Sequence, residues 1–324
     1  MILLEKTLTQ GPRIKKRRYN PSRVRESLEL YVLLLIPVVY LFFMSYVPMP
    51  GIAVAFQDYK LGQDGIFADN VKWVGFKHFI KFIEGRNFEK LMGNTLRISI
   101  KSLLITFPIP IAFALILNEI KHMQTKKTVQ TISYMPHFIS TVVVAGMVTS
   151  FCATDGLIGQ ITGILGEKPT NILQDPKNFD TVYIATIVWV TFGFDSILYM
   201  SAISGIDQEL YEAARLDGAS RWQQVIYITL PGILPTVSIC LIMALGGILG
   251  TNTDLILNLY GPANYAKSDC IGTYVYREGI GDQGTGGGKY SATAAIGLFS
   301  AVINITLLFI ANKISNLLTD TGLW

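Results

Sequence analysis

Six long apolar runs alternate with polar segments along this chain, at about 29–47, 95–118, 129–151, 181–204, 233–256 and 290–311. Each is close to or longer than the roughly 20 residues that a helix needs to cross a hydrocarbon core. The pattern predicts an all-α, polytopic membrane protein: a polar segment over 1–28, then a transmembrane domain over 29–324 with about six transmembrane helices. Pro108 and Pro110, in FPIPIAF, remove backbone donors from the second run and predict a kink there, and Pro136 does the same in the third. The fifth run carries GGILG at 246–250, where the small-x-x-x-small spacing of Gly246 and Gly250 permits close helix contact.

The start of the chain imitates a signal peptide, with basic residues, an apolar run and AVA at 53–55. Leu30 to Val47 is longer than the usual signal core of about 7–15 residues, and Pro48 and Pro50 intervene, so an uncleaved first crossing is expected. Between the first two runs, WVGFKHFIKFIEG reads as an amphipathic helix on the membrane surface, with Trp73, Phe76, Phe79 and Phe82 as its apolar contacts.

Composition agrees: 50% of residues are hydrophobic and 15% charged, with a mean hydropathy of +0.41, where soluble domains carry about 25% charged residues. The net charge of +4 is local, since eight of the 27 Lys and Arg residues precede residue 26. RIKKRR at 13–18 is therefore an anchor beside anionic membrane lipid, and no nucleic-acid partner is expected. With the N-terminus inside, segments 1–27, 119–128, 205–232 and 312–324 carry 14 basic residues in 78 positions, against 11 in 109 for the opposite segments. That bias predicts a cytoplasmic N-terminus and a cytoplasmic loop at 205–232. Cys152, Cys240 and Cys270 are too scattered for a disulfide framework or a metal site and read as packing residues. His78, His122 and His137 stand at no ligand spacing, so no metal is expected.

The loop at 205–232 holds YEAARLDGASRWQQVIYITLP at 211–231, a charged stretch lodged between two apolar runs. Asp207 is placed to cap a short helix from Gln208 to Leu216, with Glu209 and Glu212 toward the end that favours acids. Gly218 can stop that helix with positive φ, and Ala219 or Ser220 can start a second that runs toward Leu230 and ends before Pro231-Gly232. A helix-turn-helix outside the bilayer follows. Ala213 and Ala214 keep one flank thin for a close partner, while Glu212, Arg215 and Asp217 supply charges that fix its register.

Glu212-Ala213-Ala214, three residues, Gly218, nine residues and then Ile228-Thr229-Leu230-Pro231 resembles the cytoplasmic "EAA" loop of binding-protein-dependent ABC importer permeases. NTLRIS at 94–99, KKTVQTISYMPHFIS at 126–140, TYVYR at 273–277 and the terminal GLW resemble the branch that handles polysaccharide or complex oligosaccharide. The resemblance implies the type I importer permease fold in a bacterial inner membrane, with Glu212, Ala213, Ala214, Asp217 and Gly218 forming the coupling contact with an ATPase. It also implies a second homologous permease, two ATPase subunits and an external, periplasmic solute-binding protein. ATP and magnesium would sit on the ATPase, leaving this chain non-enzymatic and without a cofactor.

A substrate path is less legible. Charges within spans are costly and so mark function by default. Asp195 lies near the middle of its run beside Trp189, Phe194 and Tyr199, whose aromatic faces suit sugar rings but serve packing equally well. Arg97 and Lys101 sit toward the outer end of the second run, and Asn252 and Asp254 mark the outer end of the fifth. An acidic cargo would favour Lys101 over Asp195. GDQGTGGGKYS at 281–291 imitates a phosphate loop but fails the pattern, because Gln283 holds the first glycine position and Tyr290 follows Lys289. The alternative in another class is an ion-driven secondary transporter, which needs carboxylates in chains at mid-membrane, and only Asp195 qualifies. A membrane hydrolase lacks its nucleophile elbow or metal motif in this sequence.

Overall fold

The computed structural model describes residues 21–60, 65–68, 71–166, 168–281, 289–319 and 322–323, and the chain divides into two compact units, Met1–Ile52 and Ala53–Trp324. In the first unit, α1 (Pro21–Leu41) contains Pro37 and passes into a π-helical turn at Phe42–Tyr46. Every side chain from Leu28 to Val47 is exposed. A helix that is apolar all round yet buries nothing belongs in lipid.

The second unit is helical, and among the described residues its β-structure is limited to one isolated bridge between Gln57 and Trp73. In chain order come α2 (Lys77–Ile83), α3 (Phe88–Thr106), α4 (Pro108–Glu119), α5 (Met123–Tyr134), α6 (Thr141–Cys152) and α7 (Leu157–Ile164). After them come α8 (Phe179–Ser204), α9 (Gln208–Leu216), α10 (Arg221–Gln224), α11 (Leu230–Gly246) and α12 (Thr253–Leu259). The last three are α13 (Tyr265–Ser268), α14 (Ile271–Tyr276) and α15 (Tyr290–Thr319). Among the described residues six stretches are long and apolar enough to cross a membrane: Leu28–Phe56, Phe88–Glu119, Thr141–Ile164, Pro176–Ser204, Arg221–Gly246 and Tyr290–Leu317.

The bundle is organised on α8, which packs against α3, α4, α5 and α11. Toward its start, Phe179, Tyr183 and Ile184 meet Ile98 of α3, Cys152 of α6 and Leu255, Ile256 and Leu259 of α12. Toward its end, Tyr199, Met200 and Ile203 meet Ala114 and Leu117 of α4 and Ile233 of α11. Buried hydroxyls on α8 are satisfied on its own backbone: Thr186 donates to the Val182 carbonyl at 2.7 Å and Ser196 to that of Gly193 at 2.5 Å. Gly193 lets α5 come into backbone contact, since a Cβ there would stand 2.2 Å from the Ser133 carbonyl oxygen. Lipid tails are as apolar as leucine, so close approach of this kind is what holds membrane helices together.

Prolines and glycines set the helix boundaries. Pro108 opens α4 directly after Phe107, so the second crossing is jointed where the sequence predicts a kink. The third expected run, 129–151, is not one helix. Pro136 falls in a 3₁₀ turn at Met135–Phe138, Ser140 caps a new helix, and the apolar crossing runs on to Ile164. The fifth ends at Gly246 rather than near 256, and Gly246 packs against Leu308 of α15, where a Cβ would meet Leu308 Cδ1 at 2.6 Å. Gly250 lies beyond the helix end, so the pair does not act on one helix face. The segment around Trp73 forms a helix only at Lys77–Ile83, and Phe82 turns into the bundle against Phe88 and Phe299, at 5.3 and 5.8 Å between ring centroids. Cys152 and Cys270 are buried as packing residues, and burial pushes the Cys270 thiol up to about 12.

Gly193→Ala is expected to lower unfolding stability in detergent by about 1–3 kcal/mol, the usual cost of overpacking. Gly146→Ala on α6 is the control, because its added methyl meets nothing within 4 Å. Equal unfolding midpoints for the two variants would mean that α5 and α8 do not touch at Gly193.

Candidate functional site

The segment after α8 folds from local rules. The Asp207 carboxylate accepts from the Glu209 N–H at 3.0 Å, capping α9 at its first turn. The far end closes as a Schellman motif: the Ala219 N–H reaches the Ala214 carbonyl at 2.8 Å and the Gly218 N–H reaches that of Arg215 at 3.1 Å. Gly218 makes this possible with φ +80°, a region that a Cβ disfavours. Ser220 then starts α10 with a capping box, its hydroxyl accepting from the Gln223 N–H while the Gln223 side chain accepts from the Ser220 N–H at 2.7 Å. Asp207, Gly218 and Ser220 thus hold the roles their positions predict.

The second helix departs from expectation, because it does not stop before Pro231. A π-helical turn at Val225–Thr229 carries the chain straight into α11, with Pro231 in the first turn, where a missing N–H costs least. The prong is therefore continuous with a membrane crossing. Two ties hold it. The hydroxyls of Tyr211 and Thr229 are hydrogen-bonded at 3.0 Å, both buried, joining α9 to the foot of α11. The Arg221 guanidinium lies 3.3 Å from the Glu119 carboxylate at the end of α4. The outward face is left bare: Glu212, Ala213, Asp217 and Gly218 are exposed, Ala214 is half-buried, and Leu216 is 89% exposed.

Within the bundle, Phe194, Asp195 and Tyr199 of α8 line a cavity of about 680 Å³ with Leu103, Phe107 and Cys240. The His137 ring stacks flat on Phe194, centroids 3.8 Å apart, a proximity the sequence does not reveal. The other expected path residues are elsewhere. Trp189 does not line the cavity. The Asn252 side chain caps α12 by accepting from the Leu255 N–H at 3.1 Å, and Asp254 is exposed in that helix's first turn. Of the phosphate-loop mimic, residues 282–288 lie outside the described residues.

Lys101 joins a charge cluster at the end of the bundle opposite α9. The Arg97 guanidinium grips the buried Asp180 carboxylate with a fork, Nε to Oδ2 at 2.9 Å and Nη2 to Oδ1 at 3.1 Å, and Lys101 Nζ reaches Oδ2 at 2.8 Å. Arg97 also donates to Asn94 Oδ1 at 2.9 Å and to the Lys267 carbonyl at 2.6 Å. Asn94 in turn donates to the Asp269 carbonyl at 3.0 Å. Asp269 takes a second fork from Arg277, both contacts 3.1 Å, and these hydrogen bonds hold Arg277 above its ordinary range. Sequence reasoning missed Asp180, Asp269 and Arg277. The signal for Asp180 was present, because two cations in one crossing demand a counter-ion on a neighbour.

A family model described as "Binding-protein-dependent transport system inner membrane component" matches residues 108–319. The chain is 34% identical over 313 residues to the polygalacturonan/rhamnogalacturonan transport system permease protein YteP of Bacillus subtilis (strain 168), covering 96% of this chain and 94% of that one. It is similar to a chain of the crystal structure of a bacterial ABC transporter involved in the import of the acidic polysaccharide alginate, with 37% identity, a TM-score of 0.80, and coverage of 92% of this chain and 98% of that chain. A second crystal structure, of a bacterial alginate ABC transporter with an alginate pentasaccharide-bound periplasmic protein, matches with 37% identity, a TM-score of 0.81, and coverage of 93% and 99%.

A neutral hydrogen bond contributes about 1 kcal/mol, so Tyr211→Phe is expected to raise amide exchange across α9 roughly fivefold. Exchange in the core of α8 should not change. Unaltered α9 exchange would show that the Tyr211–Thr229 bond does not restrain the prong.

Proposed function

This chain belongs to the binding-protein-dependent transport system inner membrane components, and on that premise we propose that it is the translocation subunit of an ATP-driven importer of poly- or oligosaccharide. Alginate is the cargo to test first, because the motifs at 94–99, 126–140 and 273–277 most resemble a permease subunit of the bacterial alginate importer, and solved alginate importer chains match over most of this one. The observation that carries the reading is the shape of the prong: a capped, exposed α9 hydrogen-bonded through Tyr211 to Thr229 at the foot of α11, and an α10 that is continuous with α11 and tied to α4 through Arg221.

In this reading the N-terminus and α9 face the cytoplasm of a bacterial cell, and the Arg97–Asp180 end of the bundle faces outward. Glu212, Ala213, Ala214, Asp217 and Gly218 present the surface that seats on an ATPase subunit. ATP and magnesium belong to that subunit. A second homologous permease and a second ATPase complete the membrane assembly, and a periplasmic solute-binding protein delivers cargo. Closure of the ATPase pair moves the seated prong, the crossings rotate, and the cavity beside Asp195 changes the side it faces. Such a shift is driven only by differential affinity for the two states, so a soft prong would dissipate it. Phe194 and Tyr199 offer ring faces and Asp195 an acceptor to a passing sugar. An ion-driven secondary transporter fits less well, because it has no use for a surface of this kind and the family is defined by binding-protein-dependent transport.

In the reconstituted importer, Glu212→Ala and Gly218→Val are expected to insert and to pair with the second permease normally. ATPase docking and saccharide uptake should fall roughly thirtyfold in Glu212→Ala, the scale set by losing one charged hydrogen bond, and also in Gly218→Val, because a β-branched residue does not hold φ +80°. Undiminished docking and uptake in both variants would overturn the coupling role.

A further inference from the structure

Asp180 is over-supplied with cations. Arg97 engages both of its oxygens, donates further to Asn94 and the Lys267 carbonyl, and has a side chain only 23% exposed. Lys101 makes one contact, on an oxygen that Arg97 already holds, and its side chain is 53% exposed. The triad therefore carries one surplus positive charge, presented at the Lys101 ammonium. The neighbouring carboxylate repeats the imbalance, with Arg277 on Asp269 at 3.1 Å and Lys90 at 3.9 Å. Four cations face two carboxylates, and Asn94 wires the halves together.

Lys101 stands between the exposed Leu104 and Ile105 around the face of the crossing Phe88–Glu119. A surplus charge within an apolar crossing is costly in lipid, and such charges almost always face the bundle interior or a water-filled path. Its free N–H groups point charge without shape, which suits an anion arriving in variable orientation rather than a fixed planar fork. The cluster also lies at the far end of the helix that lines the cavity: Asp195 is roughly 22 Å along α8 from Asp180, at about 1.5 Å per residue.

We infer that Lys101 is a specificity-determining contact at the outer mouth of the path, where it takes the carboxylate of a uronate unit in an acidic saccharide. Asp180 and Arg97 are its positioning residues. The inference rests on the importer reading above and adds to it the residue that reads the charge of the cargo.

The test uses the complete importer in proteoliposomes with its binding protein, and an alginate oligosaccharide as the probe. Lys101→Gln should lower uptake about tenfold or more, as expected for loss of a charge-assisted contact, while Lys101→Arg keeps most of it. Docking of the loaded binding protein should be unchanged. Adding Asp180→Asn to Lys101→Gln should not restore uptake, because the cargo contact stays missing. Uptake by Lys101→Gln at the wild-type rate would overturn the inference, as would recovery in the double variant, which marks a pairing role alone. A parallel loss of binding-protein docking would move the cations to a protein interface and overturn it too. Absence of saccharide uptake by the wild-type assembly would overturn the importer reading itself.

Discussion

Hydrocarbon offers no hydrogen bonds, so each backbone group and each charge of a crossing chain must be satisfied from within the protein. That constraint decides where this chain breaks its helices. Pro108, Pro136 and Pro231 all stand in the first turn of a helical element, where an absent N–H leaves least unpaired. Buried hydroxyls of Thr95, Thr186 and Ser196 donate to carbonyls of their own helices. The same constraint places Asp180 opposite Arg97 and Lys101, because two cations on one crossing without a partner would not stay in the bundle.

Satisfaction from within also makes the bundle stiff in the direction that matters. α8 runs unbroken from Asp180 past Asp195 to Ser204, and α9 follows after a turn at Gly205. The corner at Gly218 is fixed by two backbone bonds and the next helix by a capping box, so the helix ends that meet there have hydrogen-bond partners. Its ties land on α11 through Thr229 and on α4 through Glu119, and both of those helices pack against the end of α8 at Tyr199, Met200 and Ile203. A displacement of α9 is thereby shared among three crossings before it reaches the cavity.

What the sequence made legible follows from the range of the interactions. Asp207, Gly218 and Ser220 act through bonds to residues within five positions, and their roles could be read directly. The spaced loop motif carried the family for a related reason, since Thr229 within it is the partner of Tyr211. Crossing boundaries were read less well where a break was encoded by packing as well as by proline: α5 lies against α8 at Gly193 instead of continuing into α6. The path residues were read least well. Asn252 is taken up by capping, Asp269 meets Arg277 eight residues on, and Asp180 meets Arg97 83 residues away in sequence, which no local pattern records.

Charge changes sign along the helix that joins these parts. At the end of the bundle opposite α9, Asp180 is outnumbered by Arg97 and Lys101, and roughly 22 Å further the cavity wall carries Asp195. For an acidic cargo, the surplus at Lys101 favours arrival, whereas Asp195 in its charged form opposes residence in the cavity. On the importer reading, a path that attracts at its mouth and repels within would not hold an acidic cargo tightly at mid-membrane. On the same reading a neutral saccharide would feel no net attraction or repulsion and would meet only the Phe194 and Tyr199 rings and the Asp195 acceptor, so the polarity along α8 is a reason for this bundle to distinguish cargo by charge.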